Sequence, residues 1–477
     1  MEQKEKKLNL IGKLKRSSQV FAVRQIMKLL PFLSKKNLVT FIGLYEKIAK
    51  GDNKKTVSAV KKMLETTPAG DMILRGVKLI NGKCRDKIAT TLIADGFLMR
   101  DERRKKITDE GGCVPFNVLI SPTMRCNLRC TGCYAYNYDK GDDLPYEVVD
   151  RVMTEAEEMG VAFITILGGE PLMWEPLFKL LEEHPNMYFQ FYSNGTLMTE
   201  EVAQKMAKLG NVTVMLSIEG FKKETDERRG EGTYDKIMKA MDILRKFGVP
   251  FGYSTAVTSI NEPVVASDEF IDLMQEKGAI IGWYFLYMPV GKDPDLSLMP
   301  TPEQRVHLLE FDKHVRATKQ VFIVDFWNDA PYVGGCIAGR YYAHITSTGD
   351  VEPCIFTHMA QDNIKEKSLR DVMNSGYFKK LREKQPYNDN LYLPCQWIDH
   401  PEVSREMQKE FDLKLTHPGA DDILVKEDLR KGIDEYSAKV KDIYATKWKE
   451  DFGCKGCSSC HGSAPIDIEE KESTPCL

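Results

Sequence analysis

No stretch of the 477 residues reaches the ~18 uninterrupted apolar residues of a membrane span, and the N-terminal MEQKEKKLNL has no secretory core. The expectation is therefore a cytoplasmic chain rather than a membrane-spanning or exported one. Internal repeats and low-complexity tracts are also lacking, which removes the solenoid and disordered classes. Charge of one sign is scarce overall, with 67 Lys/Arg against 70 Asp/Glu. That balance hides an asymmetry. Residues 1–100 carry 22 Lys/Arg against 8 Asp/Glu, a net +14, while the remaining 377 carry 45 against 62, a net −17. A basic module is thus joined to an acidic body, a pattern that suggests an anionic partner such as the inner membrane surface. No nucleic-acid partner is expected, because the basic part has no interleaved aromatic platforms and no recognisable module.

Cysteine, by contrast, is plentiful: twelve residues, most of them in clusters. Without an export signal they are expected to stay reduced, so close groups read as metal or catalytic sites.

Length and patterning divide the chain into four parts. Residues 1–110 are a basic, helical module; Val20, Val23, Met27 and Leu30 recur at helical spacing before Pro31. Three readings of it stay open: a cap on the main domain, a basic amphipathic surface on anionic lipid, or a peptide-leader-binding module. In residues 111–295, β-rich runs at 116–121, 161–167, 187–192, 212–218, 251–257 and 281–287 alternate with helix-period segments, including 146–159, 200–209, 234–247 and 268–277. Six such units predict a parallel α/β sheet, open or closed as a barrel, with its chemistry at the C-terminal strand ends. After Pro289 the alternation fades into a mixed α+β, cysteine-rich region (296–465). A charged helical stretch (402–449) leads to its last cysteines, and residues 466–477 form a loose tail.

The unusual residues fall at those strand ends. Cys126-x3-Cys130-x2-Cys133 follows the first strand and Gly168-Gly169-Glu170-Pro171 the second. Ser193-Asn194 ends the third strand, and Ser217 and Glu219 the fourth. Three thiolates in eight residues can hold three corners of an iron–sulfur cubane and leave one iron open. A structural zinc site with a distant fourth ligand is the alternative.

CxxxCxxC after strand one and GGEP after strand two resemble the radical SAM superfamily, over about residues 113–290. The resemblance implies a partial (β/α)6 barrel. Cys126, Cys130 and Cys133 would ligate a [4Fe–4S] cluster whose fourth iron is chelated by S-adenosylmethionine. Gly168, Gly169, Glu170 and Pro171 would meet the methionine amino group. Ser193, Asn194, Ser217 and Glu219 would contact its carboxylate or ribose. It also implies reductive cleavage to a 5′-deoxyadenosyl radical, hydrogen abstraction from an unactivated C–H, and oxygen sensitivity. Reduced ferredoxin or flavodoxin would be the electron donor. One position departs from the family: Gly132 stands where an aromatic residue usually borders the adenine.

Cys336-x12-Gly349-x4-Cys354, followed by Cys395, is similar to the opening of SPASM/twitch extensions, which carry one or two auxiliary Fe–S clusters. Gly349-Asp350 would form the hairpin that brings Cys336 and Cys354 together; buried structural thiols are the alternative. Cys454, Cys457 and Cys460 have ferredoxin-like spacing with no local fourth cysteine, so Fe–S and a Cys3His zinc site with His461 both stay open. Arg228 and Arg229 suit either a substrate anion or neighbouring acids. Trp283, Tyr284, Phe285 and Tyr287 suit either a pocket wall or plain core. No side chain is assigned a catalytic role.

Strings such as DFWND (325–329) and CIAGR (336–340) resemble MoaA/NifB/PqqE-type enzymes, whose reactions largely lack assignment. The substrate expected first is membrane-lipid-like, because of the basic N-terminus and the aromatic sixth strand. A SPASM-type peptide or protein maturase is the alternative, and a non-enzymatic Fe–S protein a remote third.

Overall fold

β-branched and aromatic runs flanked by amphipathic helices fold here as parallel strands whose helices pack back onto the sheet. The computed structural model describes residues 20–453 except 22, 49, 50 and 100, so Cys454, Cys457 and Cys460 lie outside the described residues. All six expected strands form: β1 (Asn117–Ile120), β2 (Phe163–Ile166), β3 (Tyr188–Ser193), β4 (Val212–Ser217), β5 (Phe251–Val257) and β6 (Ile281–Leu286). Each pairs in parallel with the next, from Asn117↔Phe163 to Val257↔Leu286. The intervening helices bury one stripe each. Helix Tyr146–Met159, for example, sinks Val149, Val152, Met153, Ala156 and Met159, and Gly160 ends it in the left-handed conformation.

The alternation does not fade after Pro289. Helix Pro302–Thr318 leads to β7 (Phe322–Asp325), which pairs in parallel with β6 and adds a seventh unit. Thr301 and Gln304 form a capping box at the start of that helix. Its apolar periodicity is broken because two of its inward positions are Arg305 and Asp312, both fully buried; Arg305 pairs with Asp399 at 2.7 Å.

The chain then returns to the opposite sheet edge. β8 (Tyr342–Ile345) runs parallel to β1, and β9 (Asp350–Glu352) turns back on β8 through Gly349, whose φ is +89°. β10 (Met359–Ala360), β11 (Asp362–Asn363) and β12 (Lys414–Leu415) follow, with β11 on β9 and β10 on β12. The ten-stranded sheet has the order β11-β9-β8-β1-β2-β3-β4-β5-β6-β7. The charged stretch from residue 402 is not one helix. It divides into Pro401–Glu410, Asp422–Val425 and Glu427–Phe452, interrupted by β12 and by His417-Pro418-Gly419.

The N-terminal region is helical throughout its described part, with a small core of Met27, Leu30, Leu38, Leu64, Leu74, Val77 and Ala89. It caps the N-terminal edge of the barrel. Arg75 donates to the carbonyls of Ala279 (2.9 Å), Gln320 (3.1 Å) and Gln275, just ahead of β6 and β7. Asn81 bonds Gly248 and Phe247 ahead of β5, and Arg104 bonds the Gly160 carbonyl ahead of β2. No helix among the described residues is long and apolar enough to cross a membrane.

Candidate active site

The loop after β1 carries Cys126, Cys130 and Cys133, and the second strand's turn packs on its backbone. Gly169 and Glu170 donate their amides to the carbonyls of Thr123 (3.0 Å) and Arg125 (2.9 Å). A Cβ on Gly168 or Gly169 would collide with those carbonyls, and Gly168 has a φ of +116°. The glycine pair is therefore needed for close backbone approach, before any ligand is considered.

Glu170 is fully buried and spends its carboxylate inward. It accepts from the Ser193 hydroxyl at 2.8 Å, the Asn194 amide at 2.8 Å and the Leu172 amide at 3.3 Å. Burial pushes its carboxyl up, against those hydrogen bonds. Asn194 in turn donates to Asn127 Oδ1 (2.9 Å) and points Nδ2 at Cys126 Sγ (3.8 Å), where the Leu128 amide also donates at 3.5 Å. Sulfur at this position thus has donors that favour a thiolate. Burial pushes the Cys126 and Cys133 thiols up, with neighbouring thiols adding to it, while Arg228 and Arg229 pull Cys133 back down.

Those two arginines are ion-paired to one buried acid. Glu219 is 1% exposed and its Oε1 takes Arg228 Nη1 and Arg229 Nη2, each at 2.5 Å, while Oε2 takes the Ala256 amide at 3.2 Å. The arginines, not Glu219, face the open space, together with Cys126, Cys130, Cys133, Gly168, Gly169, Asn194 and Ser217. Glu170, Pro171, Ser193 and Glu219 stand behind this wall as its support.

That open space is a cavity of about 630 Å³ running through the barrel. Its upper end is the cysteine loop. Tyr192, Trp283, Phe285 and Phe326 wall it along the strands, Phe163 and Tyr341 stand at strand starts, and Arg104 lies at the edge capped by the helical module. The sixth strand divides by alternation: Trp283, Phe285 and Tyr287 line the cavity, and Tyr284 is core. Of the Asp325–Asp329 segment only Phe326 lines it; Asp325 caps its own turn by accepting from the Trp327 and Asn328 amides.

The second cysteine group lies behind the wall of the same cavity, which its neighbours Ile337, Tyr342 and Ile355 line. Burial raises the Tyr342 phenol well above its usual range, and Cys354, Cys336 and Cys395 add to it. Tyr342 donates to Cys354 Sγ at 3.0 Å, and the Trp397 amide to Cys395 Sγ at 3.4 Å. Burial pushes Cys354 up to about 12, so only a metal would make it a thiolate at neutral pH. Ile337, Tyr342, Ile355 and Phe356, which neighbour these cysteines in sequence or contact, line the cavity beside the first loop.

Sequence reasoning missed a buried chain that joins the two cysteine groups. The Ser121 hydroxyl meets His344 Nε2 at 2.7 Å, and His344 Nδ1 meets Glu352 Oε2 at 2.7 Å. Tyr138, just beyond the first loop, donates to Glu352 Oε1 at 2.7 Å, as does Thr416 at 2.6 Å. The three residue types of a hydrolytic triad are present, but all three side chains are fully buried and none lines this cavity. No local spacing could have revealed them, since they come from β1, β8 and β9.

Residues 120–275 match the family model of the Radical SAM superfamily, and residues 336–396 that of SPASM, an iron–sulfur cluster-binding domain. Mycofactocin maturase MftC of Mycobacterium tuberculosis (strain H37Rv) is 31% identical over 288 residues, covering 55% of this chain and 71% of that protein. This chain belongs to the radical SAM superfamily. An AdoMet-dependent heme synthase of Methanosarcina barkeri is 24% identical over 293 residues, or 55% of this chain and 83% of that protein. PqqA peptide cyclase of Granulibacter bethesdensis is 25% identical over 311 residues, or 61% and 81%.

A radical SAM enzyme takes a [4Fe–4S] cluster and S-adenosylmethionine, and its SPASM region takes auxiliary Fe–S clusters. The residues present fit such groups. Three thiols border the cavity at the first site and three gather at the second, each with hydrogen-bond donors to sulfur. Among the described residues no three His, Cys, Asp or Glu side chains converge on a point that would hold a single ion. A cubane instead spreads its thiolates over separate irons.

Proposed function

We propose that this radical SAM enzyme is a SPASM-type maturase acting on an apolar side chain of a peptide. Cys126, Cys130 and Cys133 would hold the first cluster and leave its fourth iron open to S-adenosylmethionine. Cys336, Cys354 and Cys395 would hold part of an auxiliary cluster. When bound, the first cluster and S-adenosylmethionine supply a 5′-deoxyadenosyl radical at the upper end of the cavity, with the electron coming from a reduced ferredoxin or flavodoxin.

The chain's own residues supply the rest. Asn194 and the Leu128 amide hold Cys126 Sγ, and Glu219 fixes Arg228 and Arg229 so that both guanidinium groups face the cavity. They present positive charge where the methionine carboxylate or a substrate anion would lie. The aromatic wall orients an apolar group and excludes water.

The observation that carries the proposal is that one cavity is bordered by the first cysteine group and by Ile337, Tyr342 and Ile355, the immediate neighbours of Cys336 and Cys354. A substrate held in it would lose hydrogen beside the cysteine loop, and a cluster on Cys336, Cys354 and Cys395 would supply a one-electron acceptor behind Ile337, Tyr342 and Ile355. Mycofactocin maturase and PqqA peptide cyclase favour a peptide over the lipid expected first. The lipid reading keeps one support, a cavity wall that is mainly apolar.

The test uses reconstituted protein, S-adenosylmethionine and dithionite, with the peptide fraction and the lipid extract of cells grown in deuterated medium. Deuterium entering 5′-deoxyadenosine from the peptide fraction alone supports the proposal. Transfer from the lipid extract alone replaces it with the lipid reading.

A further inference from the structure

We propose that the outer face of the N-terminal helical module docks on an anionic bilayer, whatever the substrate of the barrel. The three helical stretches around residues 23–32, Lys35–Ile48 and Gly51–Thr66 are apolar on two sides. Their inner sides already supply the small core, through Met27 and Leu30, Leu38, and Leu64. Their outer sides carry Leu29, Phe32, Phe41, Leu44, Tyr45 and Met63 in solvent; Phe32 is 84% exposed and Leu44 58%.

On Lys35–Ile48 the exposed residues Phe41, Leu44 and Tyr45 recur at i, i+3 and i+4, so they form one stripe. Leu29 and Phe32 do the same one helical stretch earlier. A core has no use for side chains on the far side of its helices, and exposed apolar patches of this kind mark interaction sites.

Charge selects the partner. Residues 1–100 have a net +14, and Lys28, Lys36 and Lys47 are exposed beside those stripes. Phenyl and leucyl side chains flanked by lysines fit the headgroup–acyl boundary of a bilayer rich in anionic lipid, where the lysines meet the headgroup charge. The module meets the N-terminal edge of the barrel through Arg75, Asn81 and Arg104, none of which belongs to these three stretches. The barrel would stand off the membrane with its N-terminal edge, and the lower end of the cavity, directed towards it.

The full-length protein, with no S-adenosylmethionine and no reductant, is sedimented with vesicles of phosphatidylcholine alone or mixed with phosphatidylglycerol. Wild type is expected to bind the phosphatidylglycerol vesicles at least about tenfold more tightly, and less tightly at raised salt. Phe32→Ser/Leu44→Ser and Lys28→Glu/Lys36→Glu should each lower that binding by about tenfold or more with unchanged melting temperature, since all four residues are exposed.

Absence of binding, or equal binding by wild type and both variants, overturns the proposal. So does a change of oligomeric state in Phe32→Ser/Leu44→Ser without vesicle binding, which makes the face an interface between copies. Binding of an acidic peptide with no affinity for either vesicle makes it a peptide site instead. Because no turnover is measured, each result is independent of the reaction proposed for the barrel.

Discussion

The Tyr287 ring lies in the space that a side chain on Gly132 would occupy: a Cβ at position 132 would sit 2.6 Å from Tyr287 Cε2. Gly132 also has a φ of +62°, and Tyr287 lines the cavity beside Cys133. The aromatic residue absent from the cysteine loop is thus replaced in space by one at the end of the sixth strand. Gly132→Ala should destabilise the protein by about 1–3 kcal/mol, through strain and overlap. Tyr287→Ala in the same chain should recover the overlap part, which thermal melts of the four proteins would separate. Tyr287→Ala alone should weaken S-adenosylmethionine binding to the reconstituted enzyme by about 2–10-fold, and Tyr287→Phe should not. Unchanged binding in Tyr287→Ala would remove the ring from the adenine site.

Glu219 gives a prediction with a sign. Burial alone would raise its carboxyl, but Arg228 and Arg229 outweigh burial and hold it below the usual carboxylate range. A depressed carboxyl contributes stability that is present above its unfolded value and is lost as pH falls through its folded value. Glu219→Gln leaves two part-buried guanidinium groups facing an uncharged amide. It should cost about 3–5 kcal/mol at neutral pH, and its melting temperature should fall less steeply than wild type below about pH 4. Parallel acid limbs for the two proteins would contradict the depressed carboxyl.

Which parts of this molecule could be read from its sequence follows from the range of the interactions involved. Cys126, Cys130 and Cys133 are a local spacing on one loop, and the six strands announce themselves by periodicity. β7 did not, because Arg305 and Asp312 occupy inward positions of the helix before it and carry no apolar signal. Glu219 and Glu170 read as ligand contacts in the sequence because their strand-end positions say that they are near the site, not which way they face. The structure turns both inward, onto Arg228 and Arg229 and onto Ser193 and Asn194. Tyr287 and Gly132 are far apart in sequence, so no spacing rule could pair them.

The buried link between the two cysteine groups has its own test. Tyr138→Phe removes one of two hydroxyls that donate to Glu352 Oε1 and leaves a buried carboxylate short of a partner. The expected cost is about 1–3 kcal/mol. Thr416→Val should act on the same oxygen, so the double variant should lose more than the sum of the two. Hydrogen exchange should then rise both in the loop around residues 124–138 and around residues 344–358. A rise confined to one segment would mean that the chain does not couple them.

The two cysteine groups should separate by what each removal abolishes. If the first group holds the cluster that meets S-adenosylmethionine, Cys126→Ala, Cys130→Ala and Cys133→Ala should each stop 5′-deoxyadenosine formation. Cys336→Ala and Cys354→Ala change thiols behind the cavity wall, away from the first loop, and should leave that formation in place, at least in part. They should nevertheless lower reconstituted iron by about four atoms per chain, the content of one cubane. The same pair should block completion of the product, because a substrate radical in the cavity would have no electron acceptor beside Ile355 and Phe356. Iron analysis and mass spectrometry of 5′-deoxyadenosine on one set of anaerobic samples read both quantities. Wild-type iron near about four atoms per chain would overturn the auxiliary assignment, leaving Cys336, Cys354 and Cys395 as buried structural thiols. Loss of 5′-deoxyadenosine in Cys354→Ala with the first cluster intact would instead place the electron entering the enzyme on a route through the second site.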